Sequence, residues 1–300
     1  MIHAAGLDAD VLIAGAGPAG AAAATSLARA GLDVILVDRA RFPRDKVCGD
    51  FVGPVALAEL HALGIDFFSS PLRGNTVDRA ALFSDGRELI TYVLPKFETF
   101  PAFARVIPRV VLDDAIVRVA TRAGARLEQG TVVGFRLLDR AVSVSVREGA
   151  EARAMRVRVL IGADGAGSQV GRVLRGIPRR DELLVAARAY FTGVARSAGR
   201  CDLSFTSGSF PGYAWIFPTS ERVANVGVGM VVETFPATQP RMHELLARLV
   251  RDDPALSQRL AGAEMIAEPV GWALPTYSGR SAVVGERVIL IGDAAGLVNP

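Results

Sequence analysis

The sequence predicts an α/β fold of two domains, and three observations support this prediction. Near the start, DVLIA has the pattern of a buried strand and is followed by a glycine-rich turn, an alanine-rich helix and a second strand, DVILVD. Two later apolar runs, VRVLIGADG and VILIGD, each lead from a strand into glycine and aspartate. Alternating segments such as RVANVGVGMVV indicate further strands. Together these patterns predict a Rossmann-like domain with a parallel sheet, joined to a domain built on a mixed β-sheet.

Composition narrows the class of protein. The chain has 300 residues, half of them hydrophobic, which is enough for two domains with large cores. Its 34 basic and 31 acidic residues leave a net charge of only +3, so nucleic-acid binding is not expected. Cys48 and Cys201 form no CxxC pair, so we expect neither a disulfide framework nor a metal site. This cysteine usage is typical of a cytoplasmic protein.

The first strand and helix form an uncharged run from Val11 to Ala28. No basic residue precedes this run, and glycines and a proline interrupt it, so we expect neither a membrane span nor a signal peptide. Attachment to a membrane surface is left open, as is the oligomeric state.

The glycine-rich turn predicts a dinucleotide-binding site. Gly15 permits the tight turn, Gly17 lets backbone N–H groups approach a pyrophosphate, and Gly20 lets helix and strand pack closely. Asp38 ends the second strand, where a carboxylate can accept hydrogen bonds from a ribose hydroxyl. The residues of this unit leave FAD and NAD as alternatives. The predicted cofactor-binding set is Gly15, Gly17, Pro18, Ala19, Gly20, Asp38 and Arg39.

Three later segments extend the predicted site. The first contains a helix from about Val111 to Ala123 and a strand through Thr131 to Val133. In the second, a buried strand ends in GADG at 162–165 and a helix opens near Ser168. The third places Gly292 and Asp293 after an apolar strand. Aspartates at the carboxyl edge of a parallel sheet face the crevice where ligands bind.

With these motifs in this order, the chain resembles the p-hydroxybenzoate hydroxylase-like FAD superfamily. The resemblance implies that the three glycines and Asp38 hold the ADP half of FAD. It places Arg109, in an R-x-x-L-D pattern, beside the flavin or its linker. It also implies that Val133 meets the adenine through its backbone and that Asp293 accepts from the ribityl chain. Asp164 and Gly165 are expected to support the pyrophosphate region.

Two of these residues have alternative explanations. Arg109 could be a surface cation at the start of a helix, and Asp293 could be a helix N-cap. An N-cap role is compatible with a flavin contact.

Two short segments resemble signatures of the geranylgeranyl reductase family, namely FPRDKVCGDFVGP at 42–54 and PGYAWIFP at 211–218. The resemblance implies a catalytic role for Cys48 and a substrate pocket. The chain differs from the family pattern in two places. It has Phe51 where glycine is more frequent, and its aromatic motif is one residue shorter. These departures concern the substrate and leave the FAD site unaffected. The implied pocket residues are Gly49, Asp50, Tyr213, Trp215 and Phe217.

The aromatic segment and the cysteine each have two interpretations. Alternation along a strand puts the rings of Tyr213, Trp215 and Phe217 on one face, where they either pack as core or form the wall of an apolar cavity. Proline at both ends argues against a fully paired central strand. Cys48 is either a small buried hydrophobe or a contact to substrate or flavin.

The motifs also predict the domain organisation. We expect a discontinuous FAD-binding domain over 1–75, 100–180 and 275–300, and a substrate-binding domain over 76–99 and 181–274. The chain stops at Asn299-Pro300. Relatives continue there with a glycine-rich turn and a helix, so truncation at residue 300 is expected.

The resemblance implies an FAD-dependent oxidoreductase that reduces carbon–carbon double bonds of a hydrophobic prenyl or lipid-like substrate. The sequence carries no second dinucleotide fingerprint, so the flavin is expected to be reduced by transiently bound NAD(P)H or by another donor. The alternatives are a flavin monooxygenase of secondary metabolism and, less favoured, a halogenase, because neither Lys46 nor Lys96 lies in a recognisable halogenase context. The alternative outside the enzymes is a protein that binds flavin without catalysing a reaction.

Overall fold

A computed structural model describes residues 6–67, 72, 74–195, 199–207, 209–234 and 241–298. Two eight-stranded sheets and one three-stranded sheet form its framework. The α-helices are α1 Pro18–Arg29, α2 Pro54–Ala62, α3 Arg109–Arg122, α4 Gln169–Arg175, α5 Met242–Asp252 and α6 Pro254–Arg259. The strands are β1 Ala9–Ala14, β2 Val34–Asp38, β3 Phe51–Val52, β4 Asn75–Val77, β5 Arg79–Ser84, β6 Arg87–Val93, β7 Ala104–Val106, β8 Arg126–Gln129, β9 Thr131–Leu138, β10 Ala141–Glu148, β11 Glu151–Gly162, β12 Leu183–Thr192, β13 Arg200–Phe205, β14 Gly212–Pro218, β15 Val223–Val231, β16 Glu264–Met265, β17 Val270–Pro275, β18 Val284–Gly285 and β19 Val288–Leu290.

The first sheet contains the predicted parallel unit. Its strand order is β18-β19-β11-β1-β2-β8, and β1 pairs in parallel with both β2 and β11. Leu12 and Ile13 are fully buried on opposite faces of β1, as expected for a strand covered on both sides. The antiparallel pair β9 and β10 joins the sheet through β11. The predicted α/β class is therefore confirmed.

Helices pack on both faces of this sheet. On one face, the alanines of α1 allow this helix to pack closely. Ala21 and Ala24 of α1 belong to the same buried cluster as Ile116 and Ala120 of α3. Val170 of α4 packs in the cluster on the other face. Because β1 is parallel to both β2 and β11, the carboxyl ends of these three strands lie at the same edge of the sheet.

The second sheet has the order β16-β12-β15-β14-β13-β5-β6, with β17 also paired to β12. Most pairs are antiparallel, whereas β13 and β5 are parallel, so the predicted mixed sheet is confirmed. Helices α5 and α6 bury Leu245, Leu246 and Leu256 against it.

The expectation that prolines keep 211–218 from being a fully paired central strand is wrong. β14 lies between β13 and β15 and pairs with β15 over its whole length. Pro211 precedes the strand and still accepts a hydrogen bond from Val231, while Pro218 is the last residue of β14. Each proline therefore removes an N–H only at a strand end, where the ladder loses little.

A small sheet, β3-β7-β4, packs against the aromatic face of β14. Val77 and Val106 belong to the same buried cluster as Trp215 and Phe217. The loop that ends in β3 therefore runs between the first and the second sheet. This arrangement is the basis on which we propose the domain division at about residues 75, 100, 180 and 275.

The apolar run from Val11 to Ala28 forms β1, a turn and α1, as the glycines predicted. Within the described residues, no helix combines the length and apolar character needed to span a membrane.

We expect Gly227→Ala to destabilise the second sheet. A Cβ at this position would lie 2.2 Å from the Trp215 ring and 2.6 Å from the Ala187 carbonyl oxygen. Overpacking of this kind lowers the free energy of unfolding by about 1–3 kcal/mol. Thermal unfolding followed by circular dichroism measures the effect. Gly134→Ala in β9 is the matched control, since a Cβ there meets nothing within 4 Å. An unchanged melting temperature for Gly227→Ala would contradict the described packing of Trp215.

Candidate functional site

A cavity of about 680 Å³ lies at the carboxyl edge of the first sheet. The ends of β1, β2 and β11 form its floor, and the loop after β2 forms one wall. Val270 and Trp272 of β17 reach it from the second sheet. The lining residues are Ala14, Gly15, Gly17, Val37, Asp38, Arg39, Ala40, Arg44, Asp45, Lys46, Val47, Gly130, Thr131, Val132, Ala163, Asp164, Gly165, Ala166, Gly167, Gln169, Val270 and Trp272.

The three glycines of the turn serve different geometric needs. Gly15 has a φ of +100°, and a Cβ there would lie 2.3 Å from the Ala163 carbonyl oxygen. A Cβ on Gly20 would lie 1.9 Å from the Gly15 carbonyl oxygen, so this glycine lets α1 approach β1. A Cβ on Gly17 would meet only the Arg44 guanidinium, at 3.7 Å, so the Gly17 backbone is open to the cavity. The N-terminus of α1 thus presents backbone N–H groups to this space, as an anion site requires.

Asp38 connects the turn to the end of β2. Its carboxylate accepts hydrogen bonds from the backbone N–H of Ala16 and of Ala40, both at 2.8 Å. It also lines the cavity, as does its neighbour Arg39. A carboxylate has about four acceptor positions, so Asp38 retains the capacity to accept from a ligand hydroxyl.

Two cations that sequence reasoning did not assign lie in the cavity wall. Arg44 pairs with the fully buried Asp113 through an N–O distance of 2.9 Å. Lys46 pairs with Asp293 at 3.3 Å, so residues 247 positions apart meet here. The only signal in the sequence for a role of these two cations was their position between the second strand and the CGD motif. Isolated basic residues in a loop have no periodic pattern from which a site could be predicted.

Asp164 stabilises the start of α4. Its carboxylate accepts from the backbone N–H of Gln169 at 2.7 Å and from the hydroxyl of Ser168, which is the N-cap. The predicted helix start near Ser168 is therefore confirmed. Asp164 and Gly165 both line the cavity, and a Cβ on Gly165 would approach the Lys46 ammonium at 3.6 Å.

The two ends of the predicted site converge. Gly292 has a φ of +57°, and a Cβ there would lie 2.8 Å from Cβ of Ala19 in α1. Asp293 lies in a 3₁₀ turn over Gly292–Ala295 and makes no N-cap hydrogen bond within the described residues. Its carboxylate instead pairs with Lys46. Within the described residues the carboxylate of Asp293 thus has an ion pair as its partner, and the N-cap interpretation stays a prediction.

Arg109 is not a surface cation. It is 8% exposed and donates two hydrogen bonds to Asp113, at 2.6 and 2.8 Å. Burial opposes its charge, but the hydrogen bonds and charge of Asp113, together with Cys48, raise the pKa of Arg109 above its usual value. Asp113, the last residue of the R-x-x-L-D pattern, thus fixes both Arg109 and Arg44.

The remaining predicted cofactor residues differ in placement. Pro18 is the first residue of α1 and Ala19 the second, so both belong to the turn. Val133 is 38% exposed on β9, and the cavity is lined by the two residues before it, Thr131 and Val132.

The predicted substrate residues gather around the CGD motif. Phe51 and Phe217 have ring centroids 4.9 Å apart, and the rings of Trp215 and Phe217 stack at 5.9 Å. Gly49 lies against this face, since a Cβ there would be 3.2 Å from Phe217. Tyr213 contacts Trp215 edge-on at 6.1 Å, so the three rings share one face as predicted.

The core interpretation of these rings holds for Trp215 and Phe217, each 8% exposed. Tyr213 is half-buried. None of the three lines the cavity at the first sheet, whereas Trp272, which sequence reasoning missed, does. Trp272 is 42% exposed on β17, where a single aromatic residue in a strand gave no signal of a site.

Asp50 is a buried acid in a strained backbone conformation. It is 1% exposed and has a φ of 63°. Its Oδ2 accepts hydrogen bonds from the Tyr190 hydroxyl at 2.5 Å and from the Asn225 amide at 2.9 Å. Burial raises the pKa of Asp50, although these hydrogen bonds and the charge of Arg188 act in the opposite direction.

The described part of the chain holds no group of three or more His, Cys, Asp or Glu side chains that could bind a metal ion.

Comparison with known proteins points to one cofactor. Residues 8–300 match the family model described as FAD binding domain. The chain is 35% identical over 304 residues to the menaquinone reductase of Mycobacterium tuberculosis, covering 97% of this chain and 71% of the relative. It is 32% identical to digeranylgeranylglycerophospholipid reductase 2 of Methanopyrus kandleri, covering 98% of this chain and 72% of the relative.

Solved structures share the fold. A geranylgeranyl bacteriochlorophyll reductase-like protein from Thermoplasma acidophilum superposes with a TM-score of 0.83 at 23% identity, covering 97% of this chain and 72% of that one. A flavin-dependent brominase superposes with a TM-score of 0.82 at 22% identity, covering 95% and 72%. At these identities the likeness concerns the fold alone.

We expect a thiol reagent to distinguish the two cysteines of the folded protein. Cys48 is half-buried, whereas Cys201 is 3% exposed. Burial and the charge of Asp202 raise the pKa of Cys201 to about 12, so this residue stays a thiol at pH 8, where reagents attack thiolates. An Ellman titration should release one equivalent from the native protein and two after denaturation. Cys48→Ser should abolish the native equivalent, and Cys201→Ser should leave it. Rapid native labelling of Cys201 would contradict the described burial.

Proposed function

Because the chain belongs to the FAD-binding-domain family, and within it to the geranylgeranyl reductase family of FAD-dependent oxidoreductases, we propose that it reduces carbon–carbon double bonds of a prenyl or lipid-like substrate. The observation that carries this proposal is the match, over nearly the whole chain, to relatives that are named as reductases of menaquinone and of a digeranylgeranyl phospholipid. Both names denote molecules with prenyl chains. Contact with a membrane surface is part of the proposal, since such substrates reside in bilayers.

The residues in the cavity fit the diphosphate of FAD. The open backbone at Gly17 and the N-terminus of α1 would supply N–H donors, and Arg44 and Lys46 would supply positive charge. The ion pair of Lys46 is partly exposed, so exchange of Asp293 for a phosphate costs little. Gly15 and Gly20 would allow the close approach of the turn, and Asp38 would accept from the adenosine ribose.

The remaining half of the cofactor would be held by residues around the C-terminal turn and α3. Asp293 and Gly292 would lie beside the ribityl chain, with Arg109 near the flavin or its linker. Asp164 and Gly165 would support the diphosphate region, and the backbone near Val133 would meet the adenine. Bound FAD supplies hydride chemistry that no protein side chain can perform. FAD would occupy the one dinucleotide fingerprint of the sequence. NAD(P)H, the proposed reductant, would therefore bind only transiently.

For the substrate, we assign the apolar region beside the CGD motif. Tyr213, Trp215 and Phe217 would form a rigid wall, and Gly49 leaves the adjoining backbone without a side chain. Cys48 lies next to Arg109, whose pKa it helps to raise, and would contact substrate or flavin from the other side. These residues would exclude water and hold the alkene in position, which accounts for a large share of the rate in such reactions.

Oxygen-dependent chemistry is the second candidate, as solved halogenases share the fold. A halogenase requires a positioned lysine. Lys46 is paired with Asp293 at the cavity wall, which favours a role in binding the cofactor over one in halogenation.

The decisive experiment is an anaerobic reoxidation of the reduced holoprotein. We expect a polyprenyl alkene, such as a menaquinone with an unsaturated side chain, to reoxidise the flavin without oxygen. After the head group is returned to the quinone in air, mass spectrometry should show a product that is heavier by two hydrogens in its side chain. Saturated menaquinone side chains with the same head group are the control for direct quinone reduction. A long-lived flavin hydroperoxide on admission of oxygen, without alkene reduction, would favour the monooxygenase. Failure of every donor to reduce the flavin would favour a binding module.

We expect Asp38→Ala to weaken FAD retention by roughly 5–150-fold, because about 1–3 kcal/mol is lost when hydrogen-bonded partners of a buried group are removed. The substitution removes the ribose acceptor and frees the N–H groups of Ala16 and Ala40. Equilibrium dialysis or flavin fluorescence measures the affinity of the apoprotein for FAD.

The matched control is Asp114→Ala, which removes a partly exposed aspartate of α3 that pairs with Arg118. It should leave FAD affinity unchanged. Equal affinity of Asp38→Ala and wild type would contradict the role assigned to Asp38.

A further inference from the structure

We propose that Asp50 is the acid that delivers the proton in alkene reduction, with Tyr190 and Asn225 as residues that position it. The inference rests on the proposed function, since addition of hydride to one alkene carbon requires a proton for the other. It assigns a chemical role to a residue that the sequence placed only in the substrate pocket.

The backbone holds Asp50 in a fixed place. Its φ of 63° is unusual for a non-glycine residue, and its carbonyl accepts from the backbone N–H of Ile107 at 2.9 Å. A residue kept in this region of φ is evidence of a local requirement that outweighs the conformational cost. Here the conformation turns the side chain away from solvent and toward Tyr190 and Asn225.

The hydrogen bonds define which oxygen can carry the proton. Both donors reach Oδ2, so this oxygen is occupied as an acceptor. Oδ1 is buried and makes no hydrogen bond of acceptable geometry within the described residues, although the backbone N–H of Arg109 faces the carboxyl group. A proton on the carboxyl group therefore belongs on Oδ1, while Oδ2 keeps both donors.

Several charged or titratable groups face Asp50. Tyr190 and Arg188 approach from β12, with the guanidinium of Arg188 stacked 4.4 Å over the Tyr190 ring. Arg109 approaches from α3 and Cys48 from the same loop. Arg188 is itself paired with Asp45 at 3.3 Å, which weakens its field at Asp50. Burial outweighs these cations and raises the pKa of Asp50, so the acid form is favoured over a wider range of pH.

Asp50 lies where the loop passes from the cavity wall to the aromatic face of β14. Asp50 follows directly on Gly49, which packs on Phe217, and the loop before it forms the cavity wall from Arg44 to Val47. Asn225 also accepts the indole N–H of Trp215 at 3.1 Å and donates to the Cys48 carbonyl at 2.7 Å. The acid thus lies between the proposed flavin wall and the proposed substrate wall.

The step balances without another reagent. Bound reduced FAD would supply a hydride to one alkene carbon, and as the π bond breaks its electron pair would take the Oδ1 proton of Asp50 at the other carbon. The O–H bond breaks and leaves a carboxylate, which the donors Tyr190 and Asn225 stabilise. Solvent would return the proton between turnovers.

The principal test compares Asp50→Asn with wild type in anaerobic single-turnover reduction of the side-chain alkene of the unsaturated menaquinone, with the product measured by mass spectrometry. Removal of a general acid lowers such rates by about 10²–10⁴-fold. We expect a loss in this range with FAD binding, reduction by the donor and apparent alkene affinity within a few-fold of wild type. Asp50→Glu should restore part of the rate. Asp114→Asn is the control for loss of a carboxylate elsewhere.

A second variant covers the case in which Asp50→Asn fails to fold. Tyr190→Phe removes a donor that lowers the pKa of Asp50, so the acid form should persist to higher pH. Because the reaction needs the acid form, the rate should fall as pH rises through the pKa of Asp50. This fall is the descending limb of the pH–rate profile, and Tyr190→Phe should move the limb toward higher pH. A structural role of Tyr190 would lower the rate without moving the limb.

A readout without catalysis uses Trp215. In a Trp272→Phe background, Trp215 fluorescence should titrate through Asn225 with a midpoint above the ordinary pKa of aspartate, and the Asp50→Asn variant should lack this transition. A wild-type rate in Asp50→Asn, an unmoved limb in Tyr190→Phe, or a midpoint at the ordinary value would each overturn the role of Asp50. Inactivity of the wild type toward every prenyl alkene would instead overturn the proposed function, while the fluorescence titration still reports the state of the acid.

Discussion

The structure depends on one close approach, in which the Gly15 carbonyl occupies the space that a side chain at residue 20 would need. The missing Cβ atoms of Gly15 and Gly20 set the distances between β1, α1 and the end of β11. The rest of the cavity is arranged relative to this point, since Gly292 rests on Ala19 and Asp38 holds the turn through Ala16. A methyl group at either glycine would move the helix whose N-terminus faces the ligand space.

Features encoded by short-range patterns were predictable from the sequence. The glycine spacing and the buried runs gave β1, α1, β2, β11 and the helix that starts after Ser168. Features set by long-range pairing were not. Trp272 enters the cavity from β17, and Lys46 finds Asp293 across most of the chain. The error about β14 has the same origin, because proline prevents pairing only where its missing N–H faces a neighbour, and this depends on where the strand ends.

The cations of the cavity differ in how they are held. Arg44 is paired with Asp113, a fully buried carboxylate that also binds Arg109, so its direction is set by the interior of α3. Lys46 and Asp293 are each about one-third exposed, and such pairs contribute little to stability. The wall thus combines one fixed positive charge with one that can change partners. This combination suits a site that must bind an anionic diphosphate without a large penalty when the lysine leaves its carboxylate.

The aromatic segment shows why the choice between core and site is not exclusive. Trp215 is stacked on Phe217 and closely confined by Gly227, as a core residue would be. Yet its indole N–H is bound by Asn225, whose amide group donates to Asp50 and to the Cys48 carbonyl. Packing of the ring therefore fixes the amide, and the amide fixes the acid. An interior of low dielectric strengthens each of these hydrogen bonds and penalises an unpaired charge. The same burial that makes Trp215 core therefore raises the pKa of Asp50 and holds its side chain in place. The two sequence signatures, separated by more than 150 residues, act as one structural unit.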